Sequence, residues 1–374
     1  MKYRFDQIAI NSTAKKVPTE ADKEHYIGLE HIDSECLDIT RWGSDVAPIG
    51  EKLIMKKGDV LFGKRRAYQR KLAIAPFDGI FSAHGMVLRP NEEVVDKDFF
   101  PFFMSSDAFM ERAVQISVGG LSPTINWKDL REQEFSLPPL AEQKALADKL
   151  WAAYRLKESY KKLLAATEEM VKSQFIEMFG DPEQTKPLSD FIEVSFPGDW
   201  GQEDKNGDGV KVIRTTNFTN TGKLDLSDVV TRDIDAAKVE KKKLKKGDII
   251  LERSGGTNDN PVGRVVYFDE EGTYLFNNFT QLLRCKECVN SKFLFYSLFN
   301  YYWTNKSAIR SMGNKTTGIQ NLKMDKYWQI PIADVPLEHQ KEFESIYNQS
   351  DKSGFELRKS IDAIDAVIKS LINS

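Results

Sequence analysis

Lys56-Lys57-Gly58-Asp59-Val60-Leu61 returns later in the chain as Lys245-Lys246-Gly247-Asp248-Ile249-Ile250, an offset of 189 residues. Upstream, Tyr26-Ile27-Gly28-Leu29-Glu30-His31-Ile32 is paralleled by Val212-Ile213-Arg214-Thr215-Thr216-Asn217-Phe218, an offset of 186. Downstream, Pro139-Leu140-Ala141-Glu142-Gln143-Lys144 returns as Pro336-Leu337-Glu338-His339-Gln340-Lys341, an offset of 197. Three matches in one order, drifting by a few residues as insertions cause, mark a tandem repeat. A repeat sets the number of folding units before any single element is assigned.

Each copy has the same internal order. Short apolar runs bounded by Gly, Pro, Asn and Asp read as strands: Asp59-Val60-Leu61-Phe62, Ile80-Phe81 and Met86-Val87-Leu88, then Asp248-Ile249-Ile250-Leu251 and Arg264-Val265-Val266-Tyr267-Phe268. Helical stretches follow near Phe99–Ala113 and Phe293–Ile309. Each copy is thus expected to be a compact α+β domain. A long helix closes each, starting at Pro138-Pro139 and at Pro336. Leu146, Leu150, Ala153, Tyr160, Leu164, Val171 and Met178 form a seam in alternating steps of three and four, with Lys157, Thr167 and Gln174 as polar interruptions. Phe343, Tyr347, Leu357, Ile361, Ile364, Ile368 and Leu371 form the second seam, weakened by Ser350 and Gly354. Gly180-Asp181-Pro182 stops the first helix. A helix of about 40 residues spans roughly 60 Å, longer than one domain is wide, and antiparallel pairing of the two gives a pseudo-two-fold object.

Composition narrows the function. The 374 residues are 41% hydrophobic and 29% charged, with a net charge of −3. That balance suits globular domains and argues against a nonspecific DNA coat, while leaving room for local basic patches. No apolar run reaches the roughly 18 residues of a membrane helix, and the first residues lack a signal core, so a cytoplasmic chain is expected. Cys36, Cys285 and Cys288 suit a reducing compartment. The lone Cys285/Cys288 pair lacks a second pair for zinc.

These segments, with Phe175-Ile176-Glu177-Met178-Phe179-Gly180-Asp181-Pro182, resemble the specificity subunit of type I restriction-modification systems over essentially the whole chain. The second copy departs from the pattern: its junction, Ile330–Pro336, is longer, and Glu142-Gln143 becomes His339-Gln340. The resemblance implies a target-recognition domain over 1–136, a spacer helix over 137–182, a second recognition domain over 183–333 and a second spacer over 334–374. It implies a non-catalytic chain for host defence. Each domain would read one half of a split DNA site, and the antiparallel coiled-coil helices would set the gap and dock two methyltransferase subunits. S-adenosylmethionine, ATP and Mg2+ would be held by partner methyltransferase and restriction-translocase subunits. The alternatives are a type II specificity chain with a fused nuclease-methylase partner, and a coiled-coil scaffold with no DNA role.

Residues for DNA contact follow from chemistry: cations for phosphate, and Arg, Lys, Asn, Gln, Ser and Thr at loop tips for bases. In the first domain Lys64, Arg65, Arg66, Tyr68, Gln69, Arg70 and Lys71 form a cationic loop with no acid, and Ser117–Thr124, with Ser122 and Thr124, forms a second. In the second domain the matching places are Arg253, Ser254, Thr257 and Asn258, reaching Arg264, and Gly313-Asn314-Lys315-Thr316-Thr317 with Arg310. Two near-motifs fail. Gly58–Arg65 imitates a Walker A loop but ends in Arg where Ser or Thr must hold magnesium. Asp204–Gly209 opens like a calcium loop but puts Thr215 at the twelfth position. His25, His31, His84 and His339 join no nucleophile motif.

Overall fold

The computed structural model describes residues 1–257, 259–316 and 319–373, with Lys315 and Thr316 described by backbone alone. Two compact units result: Met1–Leu163 with Leu357 onward, and Leu164–Glu356. The strand Val60–Phe62 and the first three residues of the strand Ile249–Glu252 are apolar without alternation because both their faces are covered. Side chains alternate across a strand. Accordingly Val60 and Phe62 join one buried cluster with Leu72, Met86 and Leu88, while Leu61 joins another with Ala73 and Val87. The second copy repeats this: Ile249 and Leu251 pack with Val265 and Leu283, and Ile250 with Val266 and Leu282.

The strands that carry these residues have one order in both copies. In the first it is Ala9–Ser12, Met86–Pro90, Val60–Phe62, Leu72–Ile74; in the second, Ile192–Pro197, Thr280–Cys285, Ile249–Glu252, Val265–Tyr267. A second four-stranded sheet in each copy shares a parallel pair, Tyr26–Ile27 with Gly79–Phe81 and Val210–Ile213 with Tyr274–Phe276. Its remaining strands differ. A small antiparallel pair draws together the ends of each lobe, Lys2–Arg4 with Glu134–Ser136 and Thr185–Pro187 with Pro331–Ala333.

The duplicated Lys-Lys-Gly-Asp now has a structural reason. Gly58 and Gly247 take φ of 89° and 92°, a region glycine enters without a Cβ penalty. Each Asp closes its turn by accepting a backbone N–H, Lys56 N to Asp59 at 2.8 Å and Lys245 N to Asp248 at 2.7 Å. Each is also gripped by an Arg on the neighbouring strand, Arg89 Nε to Asp59 at 2.6 Å and Arg284 Nε to Asp248 at 2.7 Å. Those hydrogen bonds hold both guanidinium pKa values above the ordinary one.

The helical stretches are each broken once. Phe100–Ser105 and Asp107–Gln115 part at Ser106, whose Oγ accepts from Phe109 N; Ser291–Thr304 and Lys306–Met312 part at Asn305. The long helices run Leu140–Phe179 and Leu337–Asn373, 40 and 37 residues. Among the described residues no helix is long and apolar enough to cross a membrane.

The first seam drifts from the expected positions. Ala147, Leu150, Tyr154 and Lys157 are buried at its start and Val171, Phe175 and Phe179 at its end, because an α-helix turns 3.6 residues, not 3.5. Lys157 does not interrupt the seam: it is 8% exposed and ion-paired with Asp365. In the second helix Ser350 and Gly354 are themselves buried rather than gaps in the seam. Lys157 meets Asp365 in one unit, and Phe175 meets Phe343 in the other, with ring centroids 5.1 Å apart. Later residues of the first helix thus meet earlier residues of the second, and the pairing is antiparallel.

Phe343 is 0% exposed and touches the rings of Phe175, Phe179 and Tyr296. Phe343→Ala is expected to destabilise by about 3–5 kcal/mol, read as a lowered urea midpoint. Exposed Lys352→Ala should stay within about 0.5 kcal/mol. Equal, small losses from both would show that this helix packing does not hold the unit together.

Candidate nucleic-acid interface

Strand Val60–Phe62 delivers the chain into the cationic loop of the first lobe. Arg66 and Arg70 take φ of 57° and 51°, flanking a 3-10 turn over Ala67–Gln69. Left-handed backbone at two non-glycine residues is uncommon, and here the surroundings hold it. Arg66 N donates to Pro123 O at 2.7 Å and Arg66 Nε to Ser122 Oγ at 3.2 Å. Arg65 bridges to Thr124, which bridges back to Val118. The two loops, separate in the sequence, therefore form one surface. Arg65, Arg66 and Tyr68 are exposed on it, while Gln69 is half-buried. Lys64 is half-buried too, and burial pushes its pKa down.

The other two cations of this loop are tied to the protein. Arg70 donates to Ser105 O and to Asp107, both at 2.9 Å, and pairs with Glu35 at 3.2 Å. Asp107 also meets Lys369 at 3.3 Å and Asn373 Nδ2 at 3.4 Å on the second long helix. Lys71 Nζ donates to Leu29 O at 2.6 Å.

The second lobe joins its loops in the same way. Ser254 and Gly255 pair with Asn321 and Gln320, and the strand Ile319–Leu322 pairs with Gly313–Thr316. Ser254 is 9% exposed and its Oγ donates to Asn321 Oδ1 at 2.6 Å, so it braces the loop. Arg253 is half-buried; Thr257, Arg310 and Asn314 are exposed. Thr257 Oγ1 accepts from Asn260 N at 3.0 Å. Asn258, Thr317 and the side chains of Lys315 and Thr316 lie outside the described residues.

Arg264 occupies the place of Lys71. Lys71 O accepts from Gly63 N, and Arg264 O accepts from Glu252 N, at matching points of the sheet. Arg264 also reaches Thr215 O at 3.4 Å, the counterpart of the Leu29 carbonyl held by Lys71. In addition Arg264 Nε pairs with Glu252, which is buried, at 2.7 Å. Burial opposes the Arg264 charge, but the hydrogen bond and charge of Glu252 outweigh it and raise its pKa. One cation in each lobe thus fastens the central strand to the short turn after the parallel pair.

Sequence reasoning missed Phe279. It is 40% exposed, and its carbonyl accepts from both Arg253 N and Ser254 N at 2.9 Å, which puts an aromatic ring beside the second lobe's loop. Within Asn277-Asn278-Phe279-Thr280 a single Phe reads as core, and only the sheet register shows otherwise. Among the described residues no three His, Cys, Asp or Glu side chains are grouped to hold a metal. Burial pushes the Cys285 thiol up to about 12, a protonated sulfur that is a poor metal ligand.

Two lobes built on one plan, each with paired loops beside a shared strand, and two long helices define a duplicated, helix-linked scaffold. The sequence profile described as Type I restriction modification DNA specificity domain matches residues 43–168 and 181–364. The chain belongs to that family, whose members confer specificity and are non-catalytic. It is 29% identical over 142 residues to the type I restriction enzyme EcoDI specificity subunit of Escherichia coli, a stretch that is 37% of this chain and 31% of that relative. The chain therefore spans about a third of that relative's length in the match. It resembles the type I restriction-modification S subunit from M. genitalium at a TM-score of 0.59 and 13% identity, covering 100% of this chain and 94% of the other. It resembles a chain solved in work on complex assembly and conformational transition of the type I R-M system at 0.54 and 17%, covering 100% and 96%. At such identities the structures speak for the fold alone.

The two roles of the cations separate by experiment. Arg264→Ala strands the buried Glu252 and should cost about 3–5 kcal/mol of stability, whereas Arg65→Ala, whose side chain is exposed on the loop, should cost no more than about 0.5 kcal/mol. Chemical unfolding of both variants decides it. A neutral Arg264→Ala would show that the pair does not brace the lobe.

Proposed function

We propose that each lobe reads one half of a bipartite double-stranded DNA target, and that the helix pair sets the gap between the halves. One observation carries this reading: the lobes share strand order, the Asp-Arg turn lock and the cation-to-carbonyl clamp, yet differ in the loops mounted on that frame. Arg65, Arg66 and Tyr68 stand where the other lobe has Ser254, Gly255 and Thr257. A common scaffold with divergent tips suits two readers of two sequences, with phosphate contacts positioning and base contacts specifying.

The helices also serve as the dock for two methyltransferase subunits. Leu156, Leu163 and Met170 recur every seven residues along the first helix and are 45%, 52% and 47% exposed. Apolar side chains in that register suit a partner helix. The assembled cytoplasmic complex then methylates adenine with S-adenosylmethionine, and restriction-translocase subunits use ATP and Mg2+ to cut unmodified DNA. This chain contributes the address and none of the chemistry.

Two measurements test the proposal. Replacing residues 183–333 with the segment of a relative should change one half of the methylated sequence in a methylome; a change in both halves would refute independent readers. Neutralising Arg65 and Arg66 should flatten the dependence of log K on log salt by about 0.9 for each phosphate that the loop no longer neutralises; an unchanged slope would remove that loop from the DNA.

A further inference from the structure

Among the described residues the most exposed large apolar side chain is Leu121, at 98%. Single exposed leucines are commonplace and by themselves mean nothing. This one differs in where it stands and how it is held. It follows Gly119, at φ +112°, and Gly120, around which a Cβ would meet open space, and it precedes Ser122-Pro123. Both feet of the tip are pinned. Val118 and Thr124 exchange backbone hydrogen bonds of 3.0 and 2.9 Å, and Ile125 N donates to Lys64 O at 2.9 Å. The residues just after Leu121 are those that Arg66 holds, Ser122 by its side chain and Pro123 by its backbone. Val118, 57% exposed, adds apolar surface at the base of the tip. An apolar side chain is therefore projected on a braced support next to the two exposed arginines of the first lobe.

Resting on the DNA reading of this lobe, we infer that Leu121 is a specificity-determining residue that touches base surface. Arginines on phosphate give register but no sequence information. A neighbouring leucine cannot bind phosphate, and it gains by meeting the apolar parts of DNA. Two of these depend on sequence, unlike the sugar carbons: the thymine 5-methyl in the major groove, and the faces of a base step opened by an apolar wedge. In either case the side chain leaves water only when the correct sequence is under it.

The test uses the full chain assembled with its methyltransferase subunits and duplexes carrying the methylome-defined site. Leu121→Ala should weaken binding to the cognate duplex at least about fivefold and leave binding to a random duplex and the melting temperature unchanged. Leu121→Lys should strengthen random binding and shrink the cognate-to-random ratio. Replacing each thymine of the first half-site with uracil identifies a methyl contact, if wild-type affinity falls at one position and the Ala variant is indifferent to it. A 2-aminopurine that brightens with wild type but not with Leu121→Ala identifies the wedge. If neither Leu121 variant alters the cognate-to-random ratio while Arg65→Ala/Arg66→Ala weakens binding, Leu121 is off the bases and the inference is wrong, with the lobe still a DNA binder. If the arginine variant is silent too, the DNA reading of this lobe falls, and the inference with it.

Discussion

A long helix measures distance only if its root is rigid, and in both copies that root is a buried glutamine. Gln143 is 1% exposed. Its Oε1 accepts from Asp96 N at 2.8 Å, and its Nε2 donates to Val94 O and Pro138 O at 3.1 and 2.8 Å. Gln340, 3% exposed, accepts from Asn290 N at 2.9 Å and donates to Val335 O at 2.9 Å. Each amide thus ties the first turn of a helix to the start of the lobe's helical layer and to the chain entering the helix. Removing such a group would leave buried backbone N–H and C=O groups unpaired, at about 1–3 kcal/mol each. This is the physical content of the Pro-Leu-x-x-Gln-Lys repeat.

Beyond the root, the frame and the tips divide the labour. The frame is fixed by charges whose partners lie inside the protein: Asp59 with Arg89, Asp248 with Arg284, Glu252 with Arg264. The tips carry the groups left facing solvent. β-pairing between two loops holds the shape of the proposed DNA-contacting tips in both lobes. The end of the second helix reaches the same device, since Lys369 and Asn373 share Asp107 with Arg70. The first lobe's cationic loop and the end of the second long helix thus meet in one ion-pair network.

Much of this was legible in the sequence. Apolar runs between turn residues located the central strands, Pro138-Pro139 and Pro336 located the helix starts, and the repeat offsets anticipated which loops correspond. What escaped had specific causes. The break at Ser106 lies inside a periodic apolar stretch, and a single cap changes direction without changing the pattern. Lys157 reads as a polar interruption because sequence does not show Asp365 opposite it. Ser350 and Gly354 read as weak points because small residues look alike whether they leave a gap or lie buried. Arg70, Lys71 and Arg264 count as surface cations by composition, yet their partners, at Asp107, the Leu29 carbonyl and Glu252, lie on other elements of the fold. A charge run fixes the sign of a surface but not which charges remain free for a ligand.

The proposed ruler is the helix pair. Inserting one heptad into each long helix lengthens the pair by about 10 Å, or about three base pairs of B-DNA. Methylome sequencing of cells carrying that variant reads the gap directly. A working ruler gives the same two half-sites with the gap widened by about three base pairs. Methylation at the original gap would contradict it.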